Sequence, residues 1–538
     1  MSSIADLNLL VSLGDIAKLA DVSASAVSNW RKRYEDFPSP RLDSGSGSLF
    51  DLGEVEAWLI SRGRIKAPVQ YVDIFDNLMG ALRSWVTPLD ISRFATSALV
   101  YFEACRRAFE QPRPVKMDLQ WRWESFSQAS DEELLRRLAE AATSIEGANP
   151  DLVSLLTTGL DCLDVVPAKA AADFLRVLHA SVGADQDGGV NLYEKVTAWR
   201  DSFDRFLTQS STPGDLAEIM ARLAAGLGPR VFDPAAGDGG VLLSTAVRPL
   251  VDPYDVDEEG RADEEQRREF VAFDLTEEAL RQCRSRFFLY NEELTWRLTN
   301  SLSDASVADV EADVVVLDPP YKLKNWADAA LYRDPRWTYG APPFSSADFA
   351  WLQVALSALR PGGVALVILP TSSLLSEGRE GEIRRHLLAG GVVEAAVQLP
   401  PRLRRDTTIP LVRWVLRRRD PQRPAPDDVL FIDASMLGKP SREQHLLDEA
   451  DVDTIVDLVS ARLGGFITVS AGVEVEEIPL ADVEDGNLLR AFKACREEQI
   501  NVDELRDRRV QLIDRLGRHR SEAGALLDEL IERIEANL

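Results

Sequence analysis

The feature that most limits what this chain can fold into is a series of short, nearly unbroken apolar runs. They lie at 231–232, 270–273, 314–317, 364–369, 392–398 and 412–416, separated by stretches of helical periodicity. A strand that is apolar at almost every position needs cover on both faces. A parallel sheet wrapped in helices provides that cover, and an antiparallel sheet with one wet face does not. The alternation begins at Thr212 and runs to about 435, which predicts a Rossmann-like α/β domain with a mostly parallel sheet over 211–435. Residues 253–268, rich in Asp, Glu and Arg, read as a solvated insertion before the second strand.

The segments around this domain have different periods. From 67 to 210 the spacing of Ile74, Leu78, Leu82 and Trp85, of Leu134, Leu135 and Leu138, and of Phe174, Leu175 and Leu178 predicts an all-helical domain, with Gly183 to Gly189 as an internal loop. Residues 1–66 predict a small winged helix-turn-helix resembling the excisionase or MerR type. Ser12 caps a first helix, Asp21-Val22 makes the turn, and Ser23 caps a second helix ending at Asn29-Trp30. Val22 and Val27 face inward, while Ser25, Ser28, Asn29, Arg31 and Arg33 face outward, as side chains that read a major groove would. Residues 44–48 (Ser-Gly-Ser-Gly-Ser) form the wing tip, a last helix carries Val55, Trp58 and Leu59, and 62–68 is the linker out. The same pattern also suits a docking module that never touches DNA. The C-terminal region, 436–538, ends in a segment carrying Leu505, Val510, Ile513, Leu516, Leu526, Leu527, Leu530 and Ile534 at the spacing of paired amphipathic helices or a coiled-coil arm.

Charge and cysteine usage narrow the function classes. A net charge of −27 is wrong for a protein that coats DNA by bulk electrostatics, so any DNA contact must be local or supplied by a basic partner. The basic clusters Arg31-Lys32-Arg33, Arg402/Arg404/Arg405 and Arg417-Arg418-Arg419 each read as solvated surface charge. Cys105, Cys162, Cys283 and Cys495 form no CxxC pair and the four histidines are scattered, indicating neither a disulfide framework nor a metal site. With no N-terminal apolar segment and no run of eighteen uncharged apolar residues, a cytoplasmic location and no membrane association are expected.

Two motifs carry chemistry. Asp233-Pro234-Ala235-Ala236-Gly237-Asp238-Gly239-Gly240 bends the chain between the first strand and a helix, at the carboxyl end of the strands where open α/β sheets bind ligands. Asp274 ends the next strand, where a carboxylate can accept bonds from both hydroxyls of a ribose. No GxxxxGK[ST] sequence exists, which disfavours a P-loop ATPase. The second motif, Asp318-Pro319-Pro320-Tyr321, directly follows a buried-strand pattern. Its prolines lack N–H donors and keep the chain extended, so that carbonyls can point into a site. The amino nitrogen of adenine is a poor nucleophile because its lone pair is delocalised into the ring. Asp318 and the Pro319 carbonyl could hold its two hydrogens and favour a tetrahedral nitrogen, with Tyr321 stacked on a base flipped out of a duplex.

With these motifs in place, the order and wording from about 70 to 420 resemble the modification subunit of type I restriction-modification systems, a family of N6-adenine DNA methyltransferases. The resemblance rests on Leu192-Tyr193-Glu194, Ser211-Thr212-Pro213, the 231–243 segment, Asp318 to Tyr321, Asp334 to Trp337 and Tyr339 to Pro343. It continues through Ala347 to Gln353, Leu359 to Gly363, Gly381 to Arg384 and Thr408-Ile409-Pro410. It implies S-adenosylmethionine as cofactor. Thr212 and Pro213 would line its methionine end, Asp233, Ala235, Gly237 and Gly239 would hold its amino-acid part, Asp274 its ribose, and Asn300 and Ser301 its adenine. It also implies DNA as substrate and C-terminal helices docked on a separate specificity subunit or other defence-system protein. A homo-oligomer is a further arrangement to expect. Three departures stand out: Asn300-Ser301-Leu302 replaces the family's usual Asp-Ser/Thr-Leu, Asp318 replaces its more frequent Asn, and the N-terminal helix-turn-helix is not a usual part of the subunit.

The expected function is therefore transfer of a methyl group to N6 of a flipped adenine within a restriction-modification or phage-defence system. Two alternatives stay open at this point. One is a DNA-binding regulator that keeps a degenerate cofactor-binding fold; the other is the same enzyme chemistry on a glutamine side-chain amide.

Overall fold

The computed structural model describes residues 10–13, 16–17, 20, 22–34, 36–44, 47–65, 79–80, 82–108, 114–182, 188–203, 212–248, 268–328, 330–404, 407–441, 444–464, 473–483 and 486–499. Two compact units divide the chain: Met1–Asp304 with Arg404–Thr407, and Ala305–Leu403 with Thr408–Leu538.

The first unit opens with β1 (Leu10–Ser12), α1 (Ala24–Arg33), β2 (Pro40–Ser44), β3 (Gly47–Asp51) and α2 (Leu52–Ser61). Ser23 caps α1, its hydroxyl accepting from the Ala26 amide at 3.3 Å. Ser44 pairs with Gly47 across the expected wing tip. Ser12, expected only as a helix cap, also ends a strand: Leu10–Ser12 pairs antiparallel with Leu49–Asp51, so a third strand covers the hairpin edge that would otherwise be left open. Ile16, Val27, Trp30, Phe37, Phe50, Val55, Trp58 and Leu59 form the core, and Val177 from the helical domain completes it.

That domain consists of α3 (Pro88–Arg107), α4 (Asp131–Ala148), α5 (Ala168–Val182) and α6 (Gly188–Asp201). Thr87 and Asp90 form a capping box at the start of α3, with Pro88 at the first helical position, where its missing N–H costs nothing. Leu82, Leu134, Leu138, Phe174, Leu175 and Leu178 are buried together as their spacing predicts. Trp85 is exposed instead, since the chain turns before α3, and Ile74 and Leu78 lie outside the described residues.

The remainder of the first unit is α7 (Gly214–Ala225), β4 (Arg230–Asp233), α8 (Gly240–Ala246), β5 (Glu269–Asp274), α9 (Glu277–Leu289) and β6 (Thr295–Leu298). The three strands are parallel, with Asp233 level with Ala272 and Asp274 level with Leu298. Of the predicted insertion, 253–267 lies outside the described residues. Helix α9 joins this half to the helical domain. Arg93 pairs with Glu278 at 3.0 Å, Arg286 pairs with Glu194 at 3.0 Å, and Arg284 donates to the carbonyls of Asp151 and Val153 at 2.9 Å each.

The second unit contains β7 (Ala312–Leu317), α10 (Asp348–Ala358), β8 (Leu359–Pro370), α11 (Gly378–Ala389), β9 (Val393–Gln398), β10 (Leu411–Arg417), β11 (Asp428–Asp433), α12 (Glu449–Gly464), β12 (Glu474–Pro479) and α13 (Leu488–Gln499). The strand order is β12-β11-β9-β10-β8-β7. Pairs β7/β8 and β9/β11 are parallel, whereas β10 runs antiparallel to both β8 and β9. The sheet passes residue 435, because Glu474–Pro479 pairs with Asp428–Asp433 at its edge. Among the described residues, three strands of the α/β region's large sheet went unpredicted. Thr295–Leu298 is exposed throughout, Glu474–Pro479 is half acidic, and neither carries an apolar run; Asp428–Asp433 does, but sits behind a proline-rich turn.

Two of the basic clusters depart from solvated surface charge. Arg417 pairs with Glu394 at 2.7 Å and donates to the Gly362 carbonyl at 3.0 Å; Arg418 donates to the Ser357 and Leu359 carbonyls; Arg404 is buried. These side chains close strand ends and loops and are spent on the fold. The predicted C-terminal arm is represented by α13 alone, and Leu505 to Ile534 lie outside the described residues. Among the described residues, no helix is long and apolar enough to cross a membrane, and no group of three or more His, Cys, Asp or Glu could hold a metal ion.

Candidate active-site residues

In the first unit the glycine-rich turn leaves β4 and doubles back into α8. Asp233 is buried and accepts from the Ala235 amide at 2.9 Å, which tightens the bend. Gly237 and Gly239 have φ of +56° and +77°, a region that only glycine occupies without strain. The Asp274 carboxylate is fixed from two sides, accepting from the Gly237 amide at 2.9 Å and the Thr276 amide at 2.7 Å. A carboxylate offers about four lone-pair sites, so two amide bonds leave capacity for two hydroxyls.

The backbone carbonyl of Asp274 accepts from the Thr299 amide at 2.8 Å, bringing the Asn300-Ser301 turn beside the same strand end. Asn300 spends its side-chain oxygen on the Leu302 amide at 3.1 Å, and Ser301 is buried. Leu275, immediately after Asp274, is 68% exposed, an apolar side chain standing in solvent where a planar ring could rest on it. Thr212 and Pro213 are half-buried at the entrance to α7. The predicted cofactor residues Asp233, Ala235, Gly237, Asp274, Asn300 and Ser301 are thus linked through adjacent strand ends. Gly239 packs on Cys283 of α9, whose thiol burial pushes well above its ordinary range, making it an inert filler. Behind the turn, Arg286 bridges Asp238 at 3.3 Å and Glu194 at 3.0 Å. Burial works against the Arg286 charge, yet these carboxylates outweigh it and hold its pKa above the usual value.

In the second unit Asp318 to Tyr321 follows β7 without interruption. Pro319 is buried, Pro320 exposed, and Asp318 and Tyr321 half-buried. The Tyr321 hydroxyl donates to Asp318 Oδ1, so the ring is held across the acid. Lys322 then turns the chain at φ +53°, its amide donating to Asp348 Oδ1 at 2.8 Å and its ammonium 3.2 Å from Oδ2. Fully buried Asp348 opens α10, and one turn later Gln353 receives the Tyr339 amide at 2.9 Å and donates to the Gly340 carbonyl at 2.9 Å. The two stretches 339–343 and 347–353, far apart in appearance, are therefore one device that sets the loop beyond the tetrad.

In the N-terminal module Ser25, Asn29, Arg31 and Arg33 are exposed and Ser28 is half-buried on α1. Ser25 bonds Ser23 at 2.8 Å, and Arg31 leans on the wing, donating to Ser48 Oγ at 2.8 Å with its guanidinium 5.5 Å from the Phe50 ring centre.

Sequence reasoning passed over Leu275, Asp348 and Gln353 as site-forming residues, and Arg413 on β10. Each had a signal: an apolar residue abutting a ribose-type acid, polar residues inside an apolar helix, and a lone charge inside an apolar strand.

Residues 208–490 match the family described as N-6 DNA Methylase, and the chain belongs to that family. It is similar to the type I restriction enzyme HindI methylase subunit of Haemophilus influenzae, 30% identical over 43% of this chain and 50% of that one. The MjaIX methylase subunit of Methanocaldococcus jannaschii is 28% identical over 46% and 44%. The chain spans about half the length of the curated relatives it matches. In fold it matches the type I restriction-modification methyltransferase subunit of Streptococcus thermophilus with TM-score 0.61 at 18% identity, covering 78% of this chain and 98% of that one. The modification subunit of a type I restriction enzyme from Vibrio vulnificus gives 0.53 at 15% identity, covering 77% and 94%.

Proposed function

We propose that this chain is a DNA adenine-N6 methyltransferase of a restriction-modification or phage-defence system. The observation that carries the reading is Asp318-Pro319-Pro320-Tyr321 standing directly at the end of a buried strand, in a chain of the N-6 DNA methylase family.

S-adenosylmethionine is the cofactor this reading requires, and when bound it supplies an electrophilic methyl group. The residues present fit it. Asp274 is oriented by two backbone amides and retains acceptor capacity for a ribose diol, Leu275 offers an apolar platform to a purine, and the Gly237 bend allows close backbone approach. Asn300 and Ser301 border the same strand end, and Thr212 and Pro213 would meet the methionine portion.

At the tetrad, the Asp318 carboxylate and the Pro319 carbonyl accept the two hydrogens of the adenine amino group. Withdrawing those hydrogens to two acceptors pulls the nitrogen toward tetrahedral geometry and frees its lone pair from the ring. Tyr321 supplies the ring on which a flipped base stacks, exchanging its bond to Asp318 for that contact. The exposed face of α1, with Ser25, Ser28, Asn29, Arg31 and Arg33, contributes a local DNA contact. Sequence choice comes from a separate specificity subunit, in keeping with relatives that are themselves named as subunits of a restriction enzyme.

The test is to incubate the purified protein with S-adenosylmethionine and DNA, alone and with the product of any adjacent specificity gene, and to digest the DNA to nucleosides. N6-methyladenine is the expected product. Its absence under both conditions overturns the reading and leaves a cofactor-binding regulator.

A further inference from the structure

Strand β10 carries one charge in its interior. Arg413 is 0% exposed, and none of its three guanidinium nitrogens has a hydrogen-bond partner among the described residues. A guanidinium in that position is costly unless a countercharge answers it, because ions transferred from water to a protein interior lose solvation that only a matched partner restores.

The register identifies the partner. Arg413 lies opposite Ile368 of β8, and Leu317 of β7 lies opposite Val367, so Asp318 is level with Ile368 on its other side. Laterally aligned residues point to the same face of a sheet, and strands stand about 4.8 Å apart, so two strand spacings separate Asp318 from Arg413. A long arginine side chain can carry its charge toward Asp318 across that distance, although no hydrogen bond joins the two. On its remaining flank Arg413 faces Val397 of β9, which is apolar. Burial pushes the guanidinium down to about 9, and among the described residues the opposing influence comes from Asp318. At neutral pH the group therefore keeps its proton.

We propose that Arg413 is a positioning residue for the reaction, its buried charge keeping the Asp318 side chain aimed so that it accepts from the substrate amino group. The proposal rests on the methyltransferase reading for its catalytic meaning, whereas the Arg413–Asp318 coupling stands independently of it. Fully buried, Arg413 is assigned no substrate contact. The Arg413 charge acts through Asp318, whose Oδ1 receives the Tyr321 hydroxyl until a base takes the place of that bond.

The experiment compares wild type with Arg413→Met, Arg413→Lys, Asp318→Asn and the Arg413→Met/Asp318→Asn double variant. Arg413→Met is expected to lower kcat ten- to a hundred-fold, with KM for S-adenosylmethionine and calorimetric cofactor affinity within twofold of wild type. Arg413→Lys, which keeps the charge, is expected to recover most of the loss. Urea denaturation reads the coupling without turnover: Asp318→Asn strands the buried cation and lowers the midpoint, and adding Arg413→Met raises it again. Additive midpoint shifts overturn the proposal. So does an unchanged kcat in Arg413→Met, or equal losses in the Met and Lys variants. If the midpoints couple but wild type makes no N6-methyladenine, the pair stands and the methyltransferase reading falls, taking the catalytic role with it.

Discussion

Substituting Gly239 by alanine tests how tightly the glycine-rich turn is built. Gly239 sits at φ +77° as the residue before α8, and a Cβ there would lie 2.4 Å from Cys283 Sγ. Two costs follow. A left-handed backbone costs an L-residue ~1–2 kcal/mol. Forcing a methyl into packed sulfur costs ~1–3 kcal/mol by displacing α8 from α9. Gly239→Ala should therefore destabilise the protein by ~2–5 kcal/mol in total. The two costs separate on a Cys283→Ala background, which removes the sulfur, leaves the backbone strain, and costs ~1 kcal/mol on its own as a small cavity. On that background the glycine substitution should cost only the ~1–2 kcal/mol of strain. Urea denaturation of the four proteins, followed by tryptophan fluorescence, gives the coupling from the midpoints. Calorimetry should report weaker S-adenosylmethionine binding in Gly239→Ala and partial recovery in the double variant. If Gly239→Ala costs the same with and without the sulfur, the close approach to Cys283 is not what requires glycine.

Three further outcomes are expected. Asp318→Ala should abolish methylation while leaving cofactor affinity within a few-fold, and Asp274→Ala should weaken cofactor binding first; equal loss of affinity in both contradicts the assigned roles. His179 lies 4.9 Å from Phe102 and 5.3 Å from Trp123 by ring centres, and burial depresses its pKa below 6.5. A histidine lowered on folding contributes stability that is present above its unfolded value and lost as pH falls through the folded one. Acidification below 6.5 should therefore lower the melting temperature more in wild type than in His179→Phe, and parallel pH curves would refute this. Arg31→Ala and Arg33→Ala should each reduce the slope of log affinity for DNA against log salt by about one if they meet phosphates; unchanged slopes would remove α1 from the DNA interface.

The strands and the tetrad were legible because their signals are local. An unbroken run such as 314–317 has few structural meanings, and Asp318 to Tyr321 follows it without a gap. What could not be read depended on distant partners. Thr295–Leu298 is a strand because β5 lies beside it, not because its own residues demand one. Arg417 and Arg418 look solvated in sequence because charge is a surface cue, yet the carbonyls that receive them belong to residues 357–363, more than fifty positions away. Arg413 was passed over for a related reason: Ile368, which aligns it with Asp318, is an ordinary apolar residue of another strand. The role of Leu275 depends on exposure, which hydrophobicity alone predicts wrongly.

Helix α9 determines where this chain can be cut. A change of periodicity near residue 211 invites division there, but the far face of α9 is already committed upstream. Glu278, Arg284 and Arg286 reach Arg93, the 151–153 turn and Glu194, and the Tyr193 hydroxyl donates to the Gln282 carbonyl at 3.3 Å. A fragment beginning at 211 would carry these charges into water with their sockets empty, on the helix that follows Asp274. Through these contacts the helical domain and strands β4 to β6 are bound into one unit, so the boundary visible in the hydrophobic pattern is not a boundary in cooperativity.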